Sequence, residues 1–236
     1  MSSTKTNTLA GMPLTEMSVF IIEALPETDH TNGFCDGKVL YDQLLMTPQK
    51  PQYVSVANKK EFVDALKRFK NSHCRFLHMS FHGEENGSVF LVGKERVNYE
   101  ELAGMLSGCL TNNRLTLSTC YAGCGRLFEA MIKKNKGSIH SVLGFRTEVS
   151  VADSSAFWVA YYTLITRLTY PNPKGTNNYD HIQTAGLAKI IERVGCLLRL
   201  KLRFCYLSNK KGRWELCDES FSPKPSYWRN MKTYPL

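Results

Sequence analysis

A histidine and a cysteine, each directly behind a run of apolar residues, are the groups in this sequence best suited to covalent chemistry. His82 follows RFLHMSF (residues 75–81) and is trailed by Gly83, while Cys120 follows LTLST (115–119) and is trailed by Tyr121, Ala122 and Gly123. A thiol becomes a nucleophile when a base within hydrogen-bond reach takes its proton, and imidazole suits that task near neutral pH. The product of such an attack on a peptide is an acyl-enzyme. Gly83 lets the backbone approach a substrate closely, and its N–H with that of Cys120 can receive the developing oxyanion, a donor worth about 3–4 kcal/mol. A His and a Cys at strand ends also arise by chance, and a free cysteine is commonly a small buried hydrophobe.

Both residues need a scaffold that presents them at one edge. Short apolar runs alternate with amphipathic ones along the chain, which predicts an α/β protein with a mainly parallel central sheet flanked by helices. Residues 17–25 (MSVFIIEAL) read as a first buried strand, followed by turn residues 26–37 and a short helix through Leu45. A second strand is expected over 53–57. Asn58 is placed to cap a helix, with Glu61 as its capping-box partner and Phe62, Ala65, Leu66 and Phe69 on one face. The pattern then predicts a strand over 75–81, a hairpin over 88–97 turning at Gly93, a helix over 99–106 and a strand over 115–119. A helix over 127–134, a strand over 141–145 and a helix over 153–168 follow. Residues 170–180 read as a loop, 182–198 as a helix, and 204–207 and 213–216 as short strands. Ligand sites of parallel sheets lie at the carboxyl ends of the strands, where His82 and Cys120 both fall.

The order of these parts resembles a known family. The runs HMSFHGEENGSVFLVGKERVNYEELAGML and LTLSTCYAG, then HSVLGFRTEVSVADSSAFWVAYYTLI, are similar to the CHAT group of caspase-like peptidases, relatives of caspases and separase. The shared sequence of parts is an apolar strand ending in His-Gly, a small hairpin, a helix opened by a polar residue before Glu-Leu, and an apolar strand ending in Cys-x-Ser/Ala-Gly. The resemblance covers roughly residues 53–168. It implies a three-layer caspase-like fold, a Cys120–His82 dyad and a protein substrate. It also implies a regulated protease of bacterial defence, one that a sensor switches on to cut a dedicated effector such as a pore former. With no recruitment domain evident, a separate activating protein or ligand is expected.

The sequence departs from the strict caspase pattern: Gln-Ala-Cys-x-Gly is replaced by Ser118-Thr119-Cys120-Tyr121-Ala122-Gly123, and His82 precedes Cys120 by 38 positions rather than about 50. In related peptidases the residue two before the cysteine lines the pocket for the side chain preceding the scissile bond, and an acid there favours basic side chains. Here that residue is Ser118. Glu23 at the end of the first strand, or Asp153, can supply negative charge instead, whereas Arg146 favours an acidic side chain. The preference stays unassigned among Glu23, Ser118, Arg146 and Asp153.

Composition sets the outer limits. With 43% hydrophobic and 22% charged residues among 236, the chain has the material for one sizeable core. Residues 1–16 read as a loose N-terminal arm and 17–236 as a single domain with a basic C-terminal extension from about His181. Eight cysteines and no apolar leader predict reduced thiols and a cytoplasmic protein. No apolar run approaches the ~20 residues of a membrane span. Dyad chemistry requires neither a metal nor an organic cofactor. His78 and His82 on a strand lie about 13 Å apart, too far to share an ion, so His78 is expected to be structural. Cys120 and Cys124 lack zinc-ribbon spacing, and Cys124 is read as packing at a helix start in preference to a resolving thiol. The net charge of +9 is concentrated beyond residue 181, where 11 Lys and Arg face 4 Asp and Glu. A solvated basic face is the leading reading of that segment. Nucleic-acid stacking by Trp214, Tyr227 and Trp228 is the weaker one. The alternative to an enzyme is a catalytically silent module that binds a partner through this basic surface.

Overall fold

The computed structural model describes residues 18–223, apart from 48, 85–88, 91–94, 112, 136–138, 170–183 and 211–212. The expected turn at Gly93, the N-terminal arm, the loop over 170–180, and Tyr227 and Trp228 lie outside the described residues.

The first strand, β1 (Val19–Ala24), is buried at every position. Such a continuous apolar run belongs in a sheet covered on both faces. Its carboxyl end leads through a short helix α1 (Glu27–Thr31) into α2 (Asp36–Leu45), then into β2 (Gln52–Ser55), which pairs parallel to β1. Helix α3 (Lys59–Asn71) starts where the capping box predicts: the Asn58 side chain accepts from the Glu61 N–H at 3.0 Å, and Glu61 accepts from the Ala57 N–H at 2.7 Å. The chain then crosses to the other side of β1 and runs β3 (Phe76–Gly83), the small strands β4 (Val89–Phe90) and β5 (Arg96–Val97), α4 (Tyr99–Met105) and β6 (Arg114–Ser118). After these come α5 (Gly125–Lys134), β7 (Ser141–Phe145), α6 (Val151–Thr169), α7 (Thr184–Leu197), β8 (Leu202–Lys210) and β9 (Arg213–Phe221).

The main sheet has the order β2-β1-β3-β6-β7-β8-β9, with β4 and β5 attached to the end of β3. Its first five strands are parallel, and β8 and β9 are antiparallel. Helices α3, α4 and α5 cover one face through Phe62, Leu66, Phe69, Leu102, Phe128 and Met131. Helices α2, α6 and α7 cover the other through Leu40, Leu44, Phe157, Trp158, Tyr162 and Ile191. This is the three-layer α/β architecture that alternating strand and helix patterns predict.

The C-terminal hairpin exceeds expectation. Each of its strands is nine residues long where the sequence marks only four in each. The polar ends of β8 and β9 have weak strand propensity by themselves. Pairing of Ser141 through Phe145 with Tyr206 through Leu202 docks β8 on β7, and the β8–β9 ladder then carries the strands onward. Leu202–Lys210 and Arg213–Phe221 are thus built into the sheet.

The largest core contacts are aromatic. Phe20 of β1 meets Phe69 of α3 edge to face at 5.7 Å, both fully enclosed. Replacing Phe20 by Ala removes that contact and leaves a cavity between sheet and helix, so the Phe20→Ala chain is expected to lose about 3–5 kcal/mol in urea unfolding.

Candidate active site

Strand register brings His82 and Cys120 to one edge of the sheet. In the parallel β3–β6 pair Ser80 lies opposite Ser118, so His82 and Cys120, each one same-face step further on, stand at one level at the carboxyl edge. Contact between the two segments is tight. A methyl group placed on Gly83 would overlap the Cys120 carbonyl oxygen and sit 2.5 Å from the Thr119 methyl carbon, so only glycine fits. Immediately after Cys120 the chain turns through Tyr121, a non-glycine residue at φ 60°, a conformation that costs of order 1 kcal/mol or more. The bend is pinned by Ala122 N–H to Thr119 O (3.2 Å), Cys124 N–H to Tyr121 O (2.9 Å) and Gly123 N–H to Phe145 O (2.6 Å). It puts Cys120 at the head of a turn, with Cys124 as the N-cap residue of α5.

The sheet order adds a second positional argument. From β1 the chain first moves outward to β2, then reverses across β1 to β3 and onward to β6 and β7. Ligand sites of open α/β sheets form at the carboxyl ends of strands where the order reverses. Here that point lies between β1 and β3, and His82 occupies it.

His82 is half exposed, and its Nε2 lies 2.5 Å from Oδ2 of Asp29 in α1. Cys120 is half-buried, and its Sγ has a different partner: the Val149 N–H donates to it at 3.5 Å and the thiol faces the Val149 carbonyl at 3.7 Å. No hydrogen bond joins His82 to Cys120 among the described residues. Burial pushes the thiol pKa above its ordinary value, and the charges of Glu148 and Asp36 push the same way, against the Val149 N–H bond. The resting sulfur is therefore a protonated thiol.

Beneath the pair lies a buried polar knot. Asp36, the first residue of α2, accepts hydrogen bonds from the hydroxyls of Ser80 and Ser118 and from that of Ser154 at 2.8 Å. Trp158 donates its indole N–H to Ser118 Oγ at 2.8 Å. His78, one step deeper, bonds Thr116 Oγ1 at 3.0 Å through Nδ1, and complete burial lowers its pKa to about 4. It is a neutral core residue, as its place on a strand predicts, and its partner is a hydroxyl.

The four candidates for substrate recognition separate into two kinds. Glu23 is fully buried, accepting from the Gly37 N–H at 2.8 Å and the Tyr53 hydroxyl at 2.6 Å, and burial raises its pKa. Strand alternation turns it under α2, so it offers no surface to a substrate. Ser118 is likewise internal, committed to Asp36, Ser154 and Trp158. Both are corrections to the sequence expectation. Arg146 and Asp153 are exposed. Asp153 is tied to Ser150, its N–H donating to Ser150 Oγ at 3.0 Å and its carboxylate accepting from the Ser150 hydroxyl at 2.8 Å. Arg146 leans toward the C-terminal hairpin, where its charge helps hold the Asp218 carboxyl below the usual range after the stronger effect of Arg203. Sequence reasoning passed over Asp29, Asp36 and Val149. The visible trace of the knot was a pair of serines, 80 and 118, each inside an apolar strand and two positions before a reactive residue.

Fold and site together define a three-layer α/β protein that carries a cysteine and a histidine side by side at the carboxyl edge of a parallel sheet. No family model matches the chain, and no curated protein matches it. Among solved structures it is similar to a secreted C11 cysteine protease from Bacteroides thetaiotaomicron, in complex with an irreversible peptide inhibitor, with a TM-score of 0.47 and 9% identity over 80% of this chain and 66% of that one. It is also similar to ureidoglycine-glyoxylate aminotransferase from Bacillus subtilis, with a TM-score of 0.32 and 11% identity over 77% of this chain and 48% of that one. The chain thus spans less than two thirds of the length of either. Both likenesses are too remote to assign an activity. Among the described residues no helix is long and apolar enough to cross a membrane.

Two outcomes are expected. Alkylation of Cys120 by iodoacetamide, followed by peptide mass mapping, should be slow at neutral pH and rise only above the ordinary thiol range. Glu148→Gln, by removing a negative charge that disfavours the thiolate, should move that rise to lower pH. Asp36→Ala leaves buried hydroxyls without their acceptor, at about 1–3 kcal/mol for each one unsatisfied. Because Ser118 and Ser154 can still bond one another, the expected loss is about 2–4 kcal/mol in urea unfolding.

Proposed function

We propose that this chain is a cysteine endopeptidase of the caspase-like type, with Cys120 as nucleophile and His82 as acid and base. The observation that carries the reading is the β3–β6 register, which sets His82 level with Cys120 while Gly83 packs against the Cys120 backbone. In the reaction the Cys120 sulfur bonds to the substrate carbonyl carbon as its proton moves to His82. His82 then protonates the leaving amine as the C–N bond breaks, and water, activated by the neutral imidazole, hydrolyses the acyl-enzyme. The backbone N–H groups of Gly83 and Cys120 are the proposed oxyanion donors. Arg146 and Asp153 are the exposed groups near this edge available to a bound peptide.

The CHAT-like run over 53–168 extends the proposal to a cytoplasmic, regulated protease of bacterial defence acting on a specific protein substrate. The resting thiol fits such regulation. It is protonated and held by Val149, so attack requires the 146–150 segment to release the sulfur toward His82, a change that a separate activating protein or ligand would supply. That same observation favours the second reading, a catalytically silent module that keeps the fold and binds a partner through its basic C-terminal segment.

Profiling of newly formed protein N-termini in a lysate treated with the chain separates the two. Cys120→Ala and His82→Ala should each abolish the cleavages while urea unfolding stays unchanged. Cleavage that persists in either purified variant would sink the dyad. A wild-type chain that neither cleaves nor is labelled by peptidyl electrophiles, with candidate activators present, would support the silent module.

A further inference from the structure

Helix α1 is only lightly packed against the rest of the domain. It spans Glu27–Thr31 and fully buries none of its residues, yet it carries a carboxylate onto His82. The turn that holds it is closed by Asp29 N–H to Pro26 O at 2.9 Å, Asn32 N–H to Thr28 O at 3.0 Å and Phe34 N–H to Asp29 O at 2.7 Å, and by the Thr31 hydroxyl donating to Glu27 O at 2.9 Å. The Asp29 side chain is therefore not needed to shape its own segment. It reaches from the connection after β1 across the β1–β3 boundary to His82, with 2.5 Å between Oδ2 and Nε2. Of the paired groups its side chain is the more enclosed, at 20% exposure against 51% for His82.

We infer that Asp29 is the positioning residue of the site, holding the His82 ring in the one tautomer and orientation that can serve Cys120. This role rests on the peptidase reading of His82 and Cys120. A carboxylate can only accept, so His82 Nε2 carries the hydrogen of this bond and Nδ1 keeps the lone pair. The proton lost by the Cys120 sulfur as the S–C bond forms goes to Nδ1, making an imidazolium. Asp29 stabilises that cation across the Nε2–H bond and remains ionised throughout. The proton then leaves Nδ1 for the departing amine, and the ring returns to its starting tautomer. The resting state gives this particular weight. With the Cys120 pKa raised by burial, no preformed thiolate does the attacking, and a base held in the wrong tautomer cannot take the proton.

Two measurements on the full chain decide the matter. In nitrogen-15 histidine-labelled protein, with His82 assigned through His82→Gln, the wild type should show a protected, downfield Nε2–H proton, absent from Asp29→Ala and regained in part by Asp29→Asn, whose amide oxygen can accept the same hydrogen. Turnover of a synthetic peptide spanning the strongest cleavage site from the N-terminus profile should fall in kcat by about 10- to 100-fold for Asp29→Ala, with KM within about twofold and Asp29→Asn intermediate. Urea unfolding of the variants should stay close to that of the wild type, since no residue of α1 is fully buried and the lost pair is half exposed on its His82 side. A His82 ring signal identical in wild type and Asp29→Ala overturns the inference, as does an unchanged kcat. If the wild-type chain cleaves nothing with candidate activators present, the peptidase reading fails, and the ring signal alone still shows whether Asp29 holds His82.

Discussion

The carboxylate of Asp36 accepts hydrogen bonds from Ser80, Ser118 and Ser154 in the interior, and the geometry of the candidate active site follows from that one acceptor. It ties the start of α2 to the ends of β3 and β6 and to the first turn of α6. A buried carboxylate is tolerated only where donors replace its water, and no ion pair with Asp36 occurs among the described residues. Three hydroxyls and the amino end of α2 supply the compensation instead. Every donor lies one same-face step beneath His82 or Cys120, or on the helix that covers them. The knot therefore fixes the relative height of the two strands at the level where the chemistry is proposed.

Above this foundation the reactive groups are held apart by their own partners. His82 is tied to Asp29 and Cys120 to the Val149 backbone. The electrostatics agree with that separation, since burial and the nearby acids Glu148 and Asp36 all favour the neutral thiol. His82 and Cys120 stand at the ends of adjacent strands, and no hydrogen bond joins them among the described residues. Two of the influences on the sulfur, the Glu148 charge and the Val149 N–H bond, come from the segment after β7.

Much of the architecture was legible in the sequence. The β1 run, the Asn58 capping box and the apolar strands before His82 and Cys120 each produced the element expected, because local propensity and tertiary burial agree there. The C-terminal hairpin was only half legible, since its outer positions are strands by virtue of their neighbours. Of the site, His82, Gly83 and Cys120 were readable as strand-end residues. Glu23 and Ser118, candidates for lining the substrate pocket, lie buried, because a period-two pattern gives the face of the sheet but not which helix then covers it.

The sequence by itself determined the parallel α/β layering, the carboxyl-edge placement of a histidine and a cysteine, and the glycine that lets their strands meet. These are consequences of periodicity and of backbone sterics, which act over a few residues. Only the tertiary structure decided that Asp29 meets His82, 53 positions apart, and that Asp36 gathers three serines from three other elements. A polar side chain in a turn has no local signature of its partner. Its hydrogen bond exists only once the sheet order has brought β1 beside β3, and that order is settled by the packing of whole faces.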